Sequence, residues 1–458
     1  MKTKENFWSL CDRLALVALC AFVAECVLGA SGRWLSFGSL SIRMVLFAVC
    51  FLLTLPSLLQ QIRKLYKNPH IILCVLLGIY LVIAAVIGVK LGNRMRFIKA
   101  DITSFLSLAL LPGYLAVIRN TKRVLFIGSV IFYSALALGI ITTAIHFYLA
   151  FAPFSGLTAV NKWLNNHSMG GLATLSTGLQ RVYIRSQIFL QVGLLLGLQK
   201  VWQKKGAARW LLLSAEAIIA YGCLMTYTRG FWLGLALSAC LLLVLYPQQW
   251  KHYLSTLGIC ALLLAVLFAL SALAYSKPIA AIEVVNRFDP DLIGGAVFLP
   301  GDSTVPSGGD ATEPTDPDSG ADEAAVLLRQ KSLRLLGERI GDRPLFGNGL
   351  GANLDQVRDD GKTEYTYFDM IMKLGFVGFV LFMGVFFLPV LPLLKRRVCW
   401  LWEKKQIPPD SLQAQNTALL AAYIGVAITS YLNPFLINPM GILLVMQLSA
   451  ANRCENVK

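Results

Sequence analysis

Apolar runs of about 20 residues recur from one end of the chain to the other, and this feature alone sets the fold class. A helix of that length spans the hydrocarbon core of a bilayer and satisfies its own backbone hydrogen bonds. The runs do not alternate apolar and polar residues, which excludes a membrane β-barrel. Of the 458 residues, 56% are hydrophobic and only 14% charged, with a mean hydropathy of +0.64; a soluble chain carries about a quarter charged residues. The expectation is an all-α, polytopic integral membrane helix bundle. Windows of about 19 residues give about twelve transmembrane helices, centred near residues 21, 50, 80, 110, 136, 192, 217, 239, 264, 381, 422 and 443.

The first run, "LALVALCAFVAECVLGA", follows Lys2, Lys4 and Arg13. It lacks a clear small-x-small cleavage site before a soluble domain, so it reads as a retained first helix. The short loops "QQIRKLYKNPH", "RNTKR", "QKVWQKKGAAR" and "KRRVCWLWEKKQ" are basic and fall on one side of an alternating count. They are expected in the cytoplasm, together with both termini. Residues 1–275 then form a membrane bundle of about nine helices, residues 276–365 a large outer loop between helices nine and ten, and residues 366–458 about three further helices. The middle of that loop, "LPGDSTVPSGGDATEPTDPDSGADEAA", has the composition of a flexible insert. "AAVLLRQKSLRLLGERIGD" after it has helical periodicity, with Leu328, Leu333, Leu336 and Ile340 near one face.

The formal charge of +16 and pI of about 9.4 reflect basic loops of this kind, and nucleic acid is not an expected partner. None of the ten cysteines has CxxC spacing, so neither structural disulfides nor zinc are expected.

Some cations run against the positive-inside bias. Lys90, Arg94, Arg96 and Lys99, then Arg181, Arg185, Arg229, Arg329, Arg334, Arg339 and Arg343, all fall on the outer side of the count. Translocated loops do carry some charge; alternatively, these residues build an outer-face site for an anionic substrate, where the planar guanidinium fork binds phosphate oxygens in pairs. Arg229, in "YGCLMTYTRGFWLGLA", stands between two apolar runs. Snorkelling to the interface would account for it. Gly230 after it permits a tight bend that would instead hold the guanidinium toward the protein interior.

"TYTRGFWLGLAL" resembles the S/T-R-G-x-W/L segment of the O-antigen ligase and O-antigen polymerase superfamily. In "RQKSLRLLGERIGDRPLFGNGLGAN", Arg329 and Leu333 fit that family's R-x-x-x-L element, and "DRPLFGNGLG" is similar to its Pro-Leu-hydrophobic-Gly-x-Gly run. "EYTYFDMIMKLGFVGFVLF" resembles the segment that closes the outer loop and opens the next helix. The resemblance covers roughly residues 180 to 395, with the motifs in family order. It departs at one place: Glu364 stands where the family usually has a histidine implicated in catalysis.

The resemblance implies a metal-independent, cofactor-free, inverting glycosyltransferase in the bacterial inner membrane, with its active site facing the periplasm. The donor would be an undecaprenyl-diphosphate-linked glycan whose polyprenyl chain lies in a groove of the helix bundle, the acceptor a glycan or the lipid A core, and membrane lipid a further partner. Arg229 and Arg329 would stabilise the leaving diphosphate, with Arg185 as a possible third contact. Glu364 would be the base, since a carboxylate can accept a proton from a sugar hydroxyl; His167 is the alternative base. Arg181 and Arg334 are further candidates for contact with the diphosphate or glycan. A ligase is the first reading. A repeat-unit polymerase of the same superfamily is the nearest alternative, and a lipid-linked oligosaccharide flippase or exporter a more distant one.

Other features are set aside. Asp289-Pro-Asp291 and Asp316-Pro-Asp318 match the D-x-D letters of nucleotide-sugar transferases by chance in a Pro-rich acidic loop, and "GNGLGAN" lacks the strand-turn-helix frame of a dinucleotide loop. Glu25 and Glu216 lie inside apolar runs; they are either functional, paired with a neighbouring cation, or protonated. Trp232 reads as an interfacial anchor rather than a sugar platform.

Overall fold

The computed structural model describes residues 2–37, 40–175, 177–287, 320–354, 365–403 and 411–456. Helices dominate: α1 (Lys2–Leu28), α2 (Ile42–Leu65), α3 (Pro69–Lys90), α4 (Met95–Leu106), α5 (Leu111–Val117), α6 (Thr121–Phe151), α7 (Phe154–Asn166), α8 (Ile188–Trp202), α9 (Ala207–Leu224), α10 (Arg229–Leu245), α11 (Trp250–Ala274), α12 (Ile279–Asn286), α13 (Gly320–Asp342), α14 (Thr366–Phe387), α15 (Val390–Trp402), α16 (Leu412–Thr429) and α17 (Pro439–Asn456). Two small antiparallel hairpins interrupt them, β1 (Ser36–Phe37) with β2 (Leu40–Ser41), and β3 (Gly170–Thr174) with β4 (Gln180–Ile184). The second hairpin and α7 lie between α6 and α8.

Each expected span centre falls in a helical segment. Seven segments among the described residues are long and apolar enough to cross a membrane: α2, α3, α4 with α5, α6, α9, α11 and α14. The helices α8 and α10 are apolar but shorter. The α11 helix shows why water is the wrong solvent: Leu262, Val266, Leu270 and Leu273 all point outward and exposed, an apolar face that only lipid accommodates.

Local chemistry starts several helices beside the basic loops. Asn68 caps α3 ahead of Pro69, Asn120 caps α6 and Ser411 caps α16, each side chain accepting a backbone N–H of the first turn. From those caps the chain runs up α6, through α7 and the β3–β4 hairpin, down α8, up α9 and down α10. The hairpin and the α9–α10 turn therefore share one end of the bundle. The start of α12 joins them there, because the Tyr227 hydroxyl reaches the Ala280 carbonyl at 3.4 Å.

The core is continuous, with α6, α8 and α9 packed together and α16 between α8 and α10. Charges inside it are compensated by neighbours. Glu25 Oε2 accepts from Arg43 Nε at 2.6 Å, joining α1 to α2. Asp12 holds Arg123, and Glu455 holds Arg397. Glu216 differs: it is fully buried in α9, and neither carboxyl oxygen has a hydrogen-bond partner among the described residues.

Candidate functional site

Arg229 is the first residue of α10. Sequence reading assigns the bend before it to Gly230, but the structure places the bend earlier. Gly230 lies within α10, and Tyr227 carries the left-handed conformation at φ 45°. For a tyrosine that conformation costs about 1–3 kcal/mol unless its surroundings fix it. The surroundings do so. Tyr227 is 1% exposed, and its hydroxyl contacts Met225 Sδ at 3.3 Å as well as Ala280 O. Burial pushes its phenol pKa well up. Thr226 Oγ1 and Trp232 Nε1 both donate to Cys223 O, at 2.8 and 3.0 Å, and tie the two helix ends together. Trp232 is thus buried and structural, not an interfacial anchor.

A second arginine arrives from the hairpin. Arg181 on β4 donates from Nη2 to Thr228 Oγ1 at 2.6 Å, and Thr228 Oγ1 donates onward to Thr226 O at 3.0 Å. Thr228 is the residue that precedes α10, and its carbonyl accepts the amides of Phe231 and Trp232. Arg181 and Arg229 thus sit at the positive end of a helix dipole, with Arg229 Nε and Nη2 and Arg181 Nε buried. Two guanidiniums and a helix N-terminus at one place make a local field suited to a multiply charged anion.

The helix α12 flanks this turn. Glu283 is 1% exposed and uses both oxygens: Oε1 accepts from Arg287 Nε at 3.0 Å, and Oε2 from Thr177 Oγ1 in the hairpin at 3.0 Å. Sequence reading missed both residues, although the Glu-x-x-x-Arg spacing puts them on one helix face.

Arg329 lies on α13, half-buried, at helical spacing from Leu333, Leu336 and Ile340. Those residues pack against Met372 and Phe368 of α14, Tyr365, and Leu432 after α16. Leu432 in turn approaches Gly230, 3.5 Å from where a Cβ there would be, so it links the α13 cluster to the head of α10.

Other expected site residues are not gathered here. Arg334 faces out and pairs with Glu338 at 3.1 Å. Arg185 is exposed past the end of β4. His167 ends α7, its Nδ1 at 2.8 Å from Trp163 O and its ring against Trp163. These neighbours are those of a helix end. Glu364 lies outside the described residues, as do Asp289, Asp291, Asp316 and Asp318.

The glycine-rich run has a physical role. Residues 344–351 cross α14 at Gly375, where φ 64° and ψ 179° break the helix. The freed backbone groups pair with the crossing segment. Phe376 N donates to Pro344 O, Asn348 N to Met372 O and Gly349 N to Lys373 O, at 2.8, 2.8 and 3.0 Å. Leu350 N reaches Ala84 O on α3 at 2.9 Å, and Asn93 Nδ2 reaches the carbonyls of Asn348 and Leu350. A Cβ on Gly349 would strike the backbone of Gly88, and one on Gly375 the carbonyl of Leu345. A buried ionic group secures the crossing: Lys373 Nζ lies 3.0 Å from Asp101 Oδ1 and 2.9 Å from Asp369 Oδ2, while Asp101 Oδ2 accepts from Gly351 N at 2.8 Å. The Asp369–Lys373 spacing is visible in sequence; Asp101 joins only through the fold.

Residues 214–383 match the family model described as O-antigen ligase. A search of curated proteins finds no match. The matched stretch contains Arg229 and its turn, α12, Arg329 on α13, the glycine crossing and most of α14. Over this segment the chain is similar to O-antigen ligase domains, and the match supports the O-antigen ligase superfamily and a place among membrane proteins of polysaccharide biosynthesis.

Proposed function

We propose that the protein is a ligase-type membrane glycosyltransferase that moves a glycan from undecaprenyl diphosphate to an acceptor hydroxyl at the periplasmic face of the inner membrane. The observation that carries this reading is the convergence of Arg181, Thr228 and Arg229 at the N-terminus of α10 inside the matched domain. The acceptor oxygen attacks the anomeric carbon from the face opposite the diphosphate. The new C–O bond forms as the old one breaks, and the diphosphate leaves with the bonding electrons. The hydroxyl proton passes to a base, assigned by position to Glu364. Charge builds on the leaving oxygens, and preoriented guanidiniums lower the barrier there, each worth about a hundred-fold or more in rate. Arg329, on the helix packed against the start of α14, is the second residue assigned to that charge.

An open, shallow apolar surface between the ends of α6 and α11 suits the polyprenyl chain. Phe147, Phe151, Leu270, Leu273 and Ala274 line it, and α12 begins just beyond its α11 wall. Glu364 in place of the family histidine favours a second reading, a repeat-unit polymerase with the same donor chemistry.

Arg229→Ala and Arg329→Ala are expected to abolish surface glycan transfer at unchanged protein abundance. Normal glycan amount and chain length in both variants would sink the proposal. A reporter fused near residue 310 is expected on the periplasmic side; cytoplasmic placement would overturn the orientation.

A further inference from the structure

The arginine turn belongs to a closed ring of contacts. Arg181 on β4 bonds Thr228. Tyr227, next in the chain, bonds Ala280 on α12. One turn further along α12, Glu283 bonds Thr177, which returns the ring to the β3–β4 hairpin. Arg287, half-buried, is held on this frame by Glu283 at 3.0 Å. Glu283, which holds Arg287, is thus tied through Thr177 to the hairpin that carries Arg181, and its own helix is tied through Ala280 to the turn that precedes Arg229.

We propose that Arg287 is a further guanidinium of the diphosphate site, with Glu283 as its positioning residue. This rests on the transferase reading above and deepens it. A diphosphate diester carries one negative charge on each phosphate and gains another when the sugar leaves. Arg181 and the helix end match the resting charge, and Arg287 joins Arg229 and Arg329 in meeting the charge that appears on departure. Glu283 fixes the direction of the guanidinium, as a carboxylate does when its second oxygen is itself anchored. The site would then favour a terminal diphosphate over a monophosphate on the same lipid.

The test uses the purified full chain in detergent, with undecaprenyl diphosphate and undecaprenyl monophosphate as binding probes, and a glycan-linked undecaprenyl diphosphate with an acceptor glycan for turnover. The wild-type protein is expected to prefer the diphosphate. Arg287→Ala should erase about ten-fold of that preference and lower kcat more than it raises the donor KM. Arg287→Lys should restore part of it, charge without the fork. Glu283→Gln should fall between, by releasing the guanidinium. Should Arg287→Ala fail to fold, Arg287→Gln keeps a hydrogen bond to Glu283 without the charge and reads the same preference. A full diphosphate preference and full kcat in folded Arg287→Ala or Arg287→Gln, while Arg229→Ala loses both, would refute the role of Arg287 and leave the transferase reading standing. Retention of both in Arg229→Ala as well would refute the underlying reading.

Discussion

Arg181 and Thr228, 47 positions apart in sequence, meet at 2.6 Å and fix a hairpin arginine against the residue that opens α10. The contact orients Arg181 and closes the turn that launches Arg229. Thr228→Val keeps the shape and β-branching but removes the acceptor. Donor turnover is expected to drop about ten-fold with protein abundance unchanged, and Thr228→Ser to recover most of it. Equal turnover in the valine and wild-type proteins would show that the bond has no part in orienting the arginines.

The Asp101–Lys373–Asp369 group gives a stability prediction. Lys373→Met leaves two buried carboxylates facing each other and should cost about 3–5 kcal/mol. The triple change Asp101→Asn, Asp369→Asn, Lys373→Met should recover a large part of that loss, since no uncompensated charge remains buried. Thermal unfolding in detergent reads both. A triple variant less stable than Lys373→Met would contradict the electrostatic account.

Glycines at and away from the crossing should respond differently. Gly349→Ala meets the backbone of Gly88, which has no flexible atom to move, and should prevent the 344–351 segment from seating. Gly178→Ala has a similar positive φ of 80° but open space around it, so its cost should be limited to about 1 kcal/mol of backbone strain. Limited proteolysis near residue 345, compared between the two variants, separates them.

Two of the buried glutamates, Glu25 and Glu216, are expected to behave in opposite ways. Glu25→Leu strands Arg43 and should destabilise the protein by about 3–5 kcal/mol. Glu216→Leu removes a carboxyl whose oxygens lack hydrogen-bond partners and should be neutral or stabilising in the same melting assay. A marked loss of stability in Glu216→Leu would show that the carboxyl has a bound partner in the membrane.

The contrast between these glutamates also shows what the sequence made legible. Hydropathy located the helical segments, because the length of an apolar run is a property of the chain itself. The motif around Arg229 and the periodicity of α13 were local signals; the structure puts Arg229 at the head of α10 and packs Leu333, Leu336 and Ile340 together. The Gly230 bend was misplaced because sequence favours glycine for φ > 0, whereas tertiary contacts hold Tyr227 there instead. Arg181 was one candidate among many cations; its contact with Thr228 depends on how a hairpin folds over a helix end. Asp101 reaches Lys373 across 272 positions, and no pattern in either segment announces that pairing. The contacts of His167 with Trp163 and of Arg334 with Glu338 are local ones that the sequence reading did not draw.

The ring that joins β3–β4, the α9–α10 turn and α12 also bears on biogenesis. Its members run from Thr177 to Arg287, with α8, α9, α10 and α11 between them. During synthesis the first arginine would emerge well before its partners, and the ring could close only after α12 followed α11 through the insertion machinery. Until then Tyr227 lacks the α12 contact that helps to hold its strained backbone. Chains halted before α12 would therefore hold inserted helices without an assembled anion site, which makes completion of this corner a late checkpoint in the life of the nascent protein.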